Sequence, residues 1–122
     1  MIMTEHYKDN SMEDKQGNWK YDYDAIAAMM EREHRGRDNT ITSREIAEYL
    51  GIDDRPNFDV QVKNIMNRVM KHKQIPIISN RFGYFIPEND DEMNEYIVNM
   101  RGRMKGIEER LSLATRLYYR DI

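Results

Sequence analysis

Six side chains between positions 61 and 71 carry groups suited to base edges and phosphates. Gln61, Asn64 and Arg68 recur at i, i+3 and i+7, the spacing of one helix face. An amide can pair with two edge atoms of adenine, and a guanidinium can fork onto guanine. Lys63, Asn67 and Lys71 form a flanking row suited to phosphate oxygens. A solvated helix face usually mixes both signs of charge, whereas this one holds amides and bases without a carboxylate. Arg44 is a further candidate for phosphate, and Asn80 with Arg81 for phosphate or a minor groove.

Other chemistries find little support. The chain has 122 residues and no cysteine, which removes disulfides, thiolate metal sites and cysteine catalysis. His6, His34 and His72 are scattered, with no pair at i, i+3 or i, i+4, so neither a metal site nor a cofactor is expected. None of the patterns HExxH, GxSxG, GxxxxGK[ST] or GxGxxG occurs, and no catalytic residue is assigned. The acid pairs Asp53–Asp54 and Asp90–Asp91 sit where a turn and a helix start account for them. A non-enzymatic protein is expected.

Charge is distributed unevenly. The net charge is −3, yet residues 59–86 hold one acid (Asp59) and five bases (Lys63, Arg68, Lys71, Lys73, Arg81). Residues 1–31 hold seven acids and three bases. A local basic patch in an acidic chain is a better nucleic-acid signal than total charge. Charged residues make up 34% and aromatics 10%, which fits a globular, helix-rich chain. Met1–Met12 has no apolar run resembling a signal peptide, and no stretch has the roughly 18 apolar residues of a membrane span. A cytoplasmic protein without a membrane partner is expected.

These side chains need elements to hold them. Residues 1–19 are polar and aperiodic and read as a tail, with Trp19, Tyr21 and Tyr23 marking where it meets the folded part. The spacing of Tyr23, Ile26, Ala27 and Met30 predicts a first helix over Asp22–His34, stopped by Gly36. Thr40–Thr42 fits a brief strand. Thr42 with Glu45 makes a capping box for a second helix, whose buried face is Ile46, Ala47 and Leu50, and Gly51 ends it. After a loop over Asp53–Asn57, a third helix is predicted over Asp59–Lys73 with Val62, Ile65, Met66 and Val69 inward. Ile75–Ile78 and Tyr84–Ile86, around a polar turn at Ser79–Gly83, predict a hairpin with Asn80 and Arg81 at its tip.

The last segment predicts one helix from about Glu88 to Tyr119. Met93, Ile97, Met100, Met104, Ile107, Leu111, Ala114 and Tyr118 are spaced 4, 3, 4, 3, 4, 3, 4, a coiled-coil seam. Gly102 and Gly106 fall outside the seam. A helix of about 30 residues is roughly 45 Å long, more than a small three-helix core can cover, so self-association is expected. In a parallel pair Arg103 would face Glu108 of the other copy. Parallel, antiparallel and higher assemblies all remain open at this stage.

The segment Thr42–Ile52, TSREIAEYLGI, resembles the second helix of helix-turn-helix proteins. Ala47 is the small residue at the close crossing, Gly51 the turn, and Ile52 the aliphatic residue after it. The order of three helices, a hairpin and a long helix resembles the winged helix-turn-helix proteins. At the level of architecture it is similar to small dimeric repressors of the PadR and MarR superfamilies and to regulators carried by bacterial phages and mobile elements. The resemblance implies a mainly α chain with a small β-hairpin, divided as tail 1–19, winged helix-turn-helix domain 20–87 and oligomerisation helix 88–122. It implies a homodimeric transcriptional regulator of the bacterial cytoplasm or nucleoid. The third helix would enter the major groove of double-stranded DNA, and the wing at 79–83 would meet backbone or minor groove. An alternative is a protein-interaction module, an inhibitor or accessory protein of a mobile element that binds a host protein. A third is an architectural DNA binder without sharp sequence choice.

Overall fold

A computed structural model describes residues 21–52 and 56–120. The tail at 1–19 with Trp19, and the acid pair Asp53–Asp54, lie outside the described residues. The chain is mainly helical, with a two-stranded antiparallel hairpin and a long C-terminal helix. It divides into two compact units, Met1–Pro87 and Glu88–Ile122.

In the first unit, helix α1 spans Tyr23–Glu33. Asp22 caps it, accepting from Ala25 N at 3.0 Å, and so satisfies one of the orphan donors of the first turn. Gly36 follows in a positive-φ conformation and leads into a single 3-10 turn, Arg37–Asn39. That turn is pinned to the end of α1 by His34 Nδ1 against Asn39 O at 2.8 Å and by Asn39 Nδ2 donating to Arg35 O at 2.8 Å.

Helix α2 spans Ser43–Leu50. Thr42 Oγ1 accepts from Glu45 N at 3.1 Å, and Glu45 Oε1 accepts from Thr42 N at 2.9 Å, closing the capping box. Gly51 takes the left-handed conformation at φ 73°, and Ile52 N donates back to Ala47 O at 2.8 Å. Helix α3 spans Phe58–Lys73 and buries Val62, Ile65, Met66 and Val69. It packs on both α1 and α2, so Ile26, Met30, Ile46 and Ala47 meet those four side chains in one core. Lys73 at the end of α3 pairs with Asp24 at the start of α1.

The hairpin is tighter than its apolar runs suggest, with the first strand starting three residues later and the second one residue earlier. Strand β1 is Ile78–Asn80 and strand β2 is Gly83–Phe85, with Ile78 opposite Phe85 and Asn80 opposite Gly83. Residues 75–77 and Ile86 are therefore outside the two strands, and Ser79, Asn80 and Gly83 are strand, not turn. The physical reason lies in Gln74, Pro76 and Asn80. Gln74 ends α3 at φ 57°, and Pro76 has no N–H to give a ladder. Ile77 is buried as part of the connection into the core. The turn itself is only Arg81 and Phe82, closed by Asn80 Oδ1 accepting from Phe82 N at 2.8 Å.

Strand β2 gains a second neighbour. Ile41 forms an antiparallel bridge with Tyr84, donating to its O at 2.9 Å and accepting from its N at 2.8 Å. The segment expected as a brief strand at Thr40–Thr42 is thus a single bridging residue. Ile86 leaves the hairpin to pair with the end of α1, through Gly36 N to Ile86 O and Ile86 N to His34 O, both 2.8 Å. Gly83 makes this layout possible. A Cβ there would lie 2.4 Å from Ile41 O, and its φ is 141°.

In the second unit, helix α4 spans Asp90–Tyr119, 30 residues. Asn89 is its cap, accepting from Glu92 N at 3.0 Å, while Glu92 Oε1 accepts from Glu88 N at 2.9 Å. Asp90, Asp91 and Glu92 occupy the first turn, where the helix dipole favours negative charge.

Candidate nucleic-acid interface

The outer side of α3 is set by what its inner side buries. With Val62, Ile65, Met66 and Val69 turned to the core, the opposite crest runs through Val60, Lys63, Asn67 and Lys71, all exposed. Gln61, Asn64 and Arg68 are half-buried and lie along one flank of that crest. The lysine row, expected to flank, is therefore the row that projects furthest. Gln61 Nε2 reaches Asn57 Oδ1 at 3.5 Å, across the first turn of the helix. His72, on the basic stretch of the sequence, stacks on Tyr23 of α1 with ring centroids 5.8 Å apart.

The start of α3, the start of α2 and the hairpin converge on Tyr84 and Phe58. The Arg44 guanidinium lies over the Phe58 ring at 5.0 Å, tying the two helix starts together. Burial pushes the Tyr84 phenol above its ordinary pKa; a Ser43 hydrogen bond opposes that shift and the nearby Asp59 charge adds to it. Between Thr42–Ser43 and hairpin residues 79–84 lies a hollow of about 220 Å³. Arg44, Asn80, Arg81 and the first turns of α3 thus belong to one end of this unit. Lys71 lies eight residues beyond Lys63, roughly 12 Å further along the crest.

The electrostatics at that end are mixed. Glu45 fills the start of α2, and the Thr42 backbone N–H, then the Thr42 hydroxyl, hold its carboxyl below the usual range. The orphan donors there serve the chain's own carboxylate. Asp59 adds an exposed acid at the first turn of α3. The positive charge at that end is carried by Arg44, by Lys63 on the crest and by Arg81 on the hairpin tip, with Lys71 further along the crest.

The tip has a chemistry that charge counting misses. Phe82 is 59% exposed, with the Arg81 guanidinium over its ring at 4.8 Å. Val60 is 56% exposed at the head of the crest. Neither stood among the candidates from sequence. Extending the Lys63–Asn67–Lys71 row back by three residues reaches Val60, and an aromatic beside the arginine of a hairpin tip is the signal for Phe82. Ser43, through its bond to Tyr84, also went unmarked.

Of the eight seam positions on α4, Met104, Ile107, Leu111, Ala114 and Tyr118 are exposed, and Met93, Ile97 and Met100 are half-buried. Among the described residues, no group of three or more His, Asp or Glu side chains is placed to hold a metal ion. No described helix is long and apolar enough to cross a membrane. Comparison with protein-family models, with curated proteins and with solved structures finds no match.

Proposed function

We propose that residues 21–87 form a winged helix-turn-helix domain that binds double-stranded DNA, and that α4 joins two copies into a regulator of the phage or mobile-element kind. The observation that carries the reading is the crest of α3. Lys63, Asn67 and Lys71 project together from a helix held on its inner side by α1 and α2. A helix so held, with its outer row free of acids beyond the first turn, fits the width of a major groove. The Ile41 bridge supports the wing assignment, because it makes β2 the middle of a minimal three-membered sheet next to the start of α2. In this reading Asn67 reads a base edge between two phosphate-seeking lysines, with Gln61, Asn64 and Arg68 reading or positioning along the flank. Arg81 and Asn80 contact the backbone or the minor groove, and Arg44 a phosphate at the domain's end.

Selection of genomic fragments by the purified protein, read by sequencing, tests this reading. Enriched fragments sharing a palindromic motif support a two-fold regulator, and enrichment without a motif favours an architectural binder. Absence of DNA binding at low salt would overturn the proposal. A second reading, a protein-interaction module on the same scaffold, draws on the exposed Tyr49, Val60 and Phe82. Capture of one defined host protein in the absence of DNA affinity would favour it.

A further inference from the structure

We infer that α4 pairs antiparallel with α4 of a second copy of this chain, about a two-fold axis crossing the helix between Lys105 and Gly106. The inference rests on the self-association proposed above and adds its direction and register.

From Met104 onward the seam is exposed, and before it Met93, Ile97 and Met100 are half-buried. Met104 is 65% exposed, Leu111 66% and Tyr118 70%, all on the one seam. Large side chains this open in a row at heptad spacing leave an apolar strip along a helix with charged flanks.

Charge sets the direction. The start of the helical unit holds Glu88, Asp90, Asp91, Glu92 and Glu95 and no base. The rest holds Arg101, Arg103, Lys105, Arg110, Arg116 and Arg120 against Glu108, Glu109 and Asp121. A parallel pair would lay acid beside acid over the first two turns. An antiparallel pair brings Arg120 of the second copy level with Asp91, and its Arg116 level with Glu95.

Volume sets the register. In antiparallel coils each a position packs level with a d position of the other helix. One alignment matches all eight seam residues with no overhang. It sets Met93 against Tyr118, Ile97 against Ala114, Met100 against Leu111, and Met104 against Ile107, each pair occurring twice by symmetry. The small Ala114 meets a branched Ile97, and the bulky Tyr118 meets a flexible methionine. A parallel pair instead stacks alanine on alanine next to tyrosine on tyrosine, a void beside an overfilled layer.

The flanks follow the same register. Arg101 faces Glu108 of the second copy twice, and Tyr96 extends the apolar strip toward Leu117 of the second copy. Arg103 meets Arg110 of the second copy, an exposed like-charge contact that is individually weak. The parallel alternative offers Arg103 beside Glu108 in return, a pair of equal size. Across the flanks the antiparallel pair's two attractions and two repulsions cancel, while the parallel pair keeps two exposed attractions, a small preference that the acidic starts and the seam volumes outweigh.

The chain's lack of cysteine makes the test direct. Met100→Cys and Leu111→Cys proteins, one carrying a tag that alters its mass, are mixed and oxidised gently. Antiparallel pairing in this register predicts that the disulfide between the two different variants dominates. Like positions would then be roughly 16 Å apart along the axis, well beyond the span of about 7 Å that a disulfide bridges. Disulfides between like variants would overturn the inference. Sedimentation of the unsubstituted protein separates the two readings. A dimer with like-to-like disulfides, or with none, refutes the direction or register alone. A monomer refutes self-association and this inference together, leaving the DNA reading to its own test.

Discussion

Replacing Gly83 by alanine tests whether the hairpin is seated as described. The new methyl would lie 2.4 Å from Ile41 O and 2.7 Å from Ile41 C, both backbone atoms that cannot swing aside like a side-chain tip. The φ of 141° adds strain of about 1–3 kcal/mol for a residue with a Cβ. Relieving the clash means parting β2 from Ile41 and so losing the bonds of 2.9 and 2.8 Å between Ile41 and Tyr84. At about 1 kcal/mol each, these bring the expected loss to about 3–5 kcal/mol, a large part of the roughly 5–15 kcal/mol that holds a domain together. The other glycines serve as controls. Gly51 also has positive φ, at 73°, but nothing lies within 4 Å of its added Cβ, so Gly51→Ala should cost only about 1 kcal/mol. Gly102 and Gly106 are helical with open space around them, so alanine at either should stabilise α4 by about 0.5–1 kcal/mol. Urea unfolding of the four variants orders them. A Gly83→Ala loss within 1 kcal/mol of the Gly51→Ala loss would refute the close approach of Gly83 to Ile41.

Other consequences concern charge and ionisation. Glu45→Ala should destabilise the protein by about 0.5–1 kcal/mol at neutral pH. The folded pKa of Glu45 lies below its ordinary 4.5, so its stabilisation is present above that pH and is lost as pH falls through the folded value. Urea midpoints of wild type and variant should therefore converge in acid, and a constant gap would contradict the capping role. Asp59→Asn should lower the Tyr84 pKa, read by tyrosinate absorbance, because it removes one of the two causes raising it. Since the Tyr84 pKa is raised, its neutral form is the one favoured in the fold, and stability falls as pH rises from about 10 through the folded value. The same variant should tighten DNA binding, having lost an exposed acid in the first turn of α3, and weaker binding would count against a DNA contact there. Arg81→Ala should weaken DNA binding without altering the preferred sequence, as a backbone contact does, and a changed motif from fragment selection would assign it to base reading instead.

What could be read from the chain alone was what short-range chemistry decides. Thr42 with Glu45, and Gly51 with Ile52, define both ends of α2 because caps are satisfied within one turn. The inward faces of α1 and α3 followed from their periodicity. The hairpin register did not. Ile75 and Ile77 are apolar because the connection they form runs into the core, and a buried connection carries the same signature as a buried strand. Only Gln74's left-handed exit, Pro76's missing donor and Gly83's approach to Ile41 separate the two, and the last is a contact between residues 42 positions apart. Periodicity likewise grouped Gln61, Asn64 and Arg68 on one side of α3 but could not say which row stands outermost. That depends on how α1 and α2 together tilt the helix, and their packing turns Lys63, Asn67 and Lys71 outward. Val60 and Phe82 escaped notice because apolar side chains are expected inside.

The salt dependence of binding to a selected DNA fragment tests the role of the α3 crest most directly. Each lysine neutralising a phosphate contributes about 1 to the slope of log affinity against log salt. The account predicts that Lys63→Ala with Lys71→Ala lowers the slope by about 2 and weakens binding to all sequences alike. An unchanged slope and affinity in that double variant, with wild type binding normally, would contradict it.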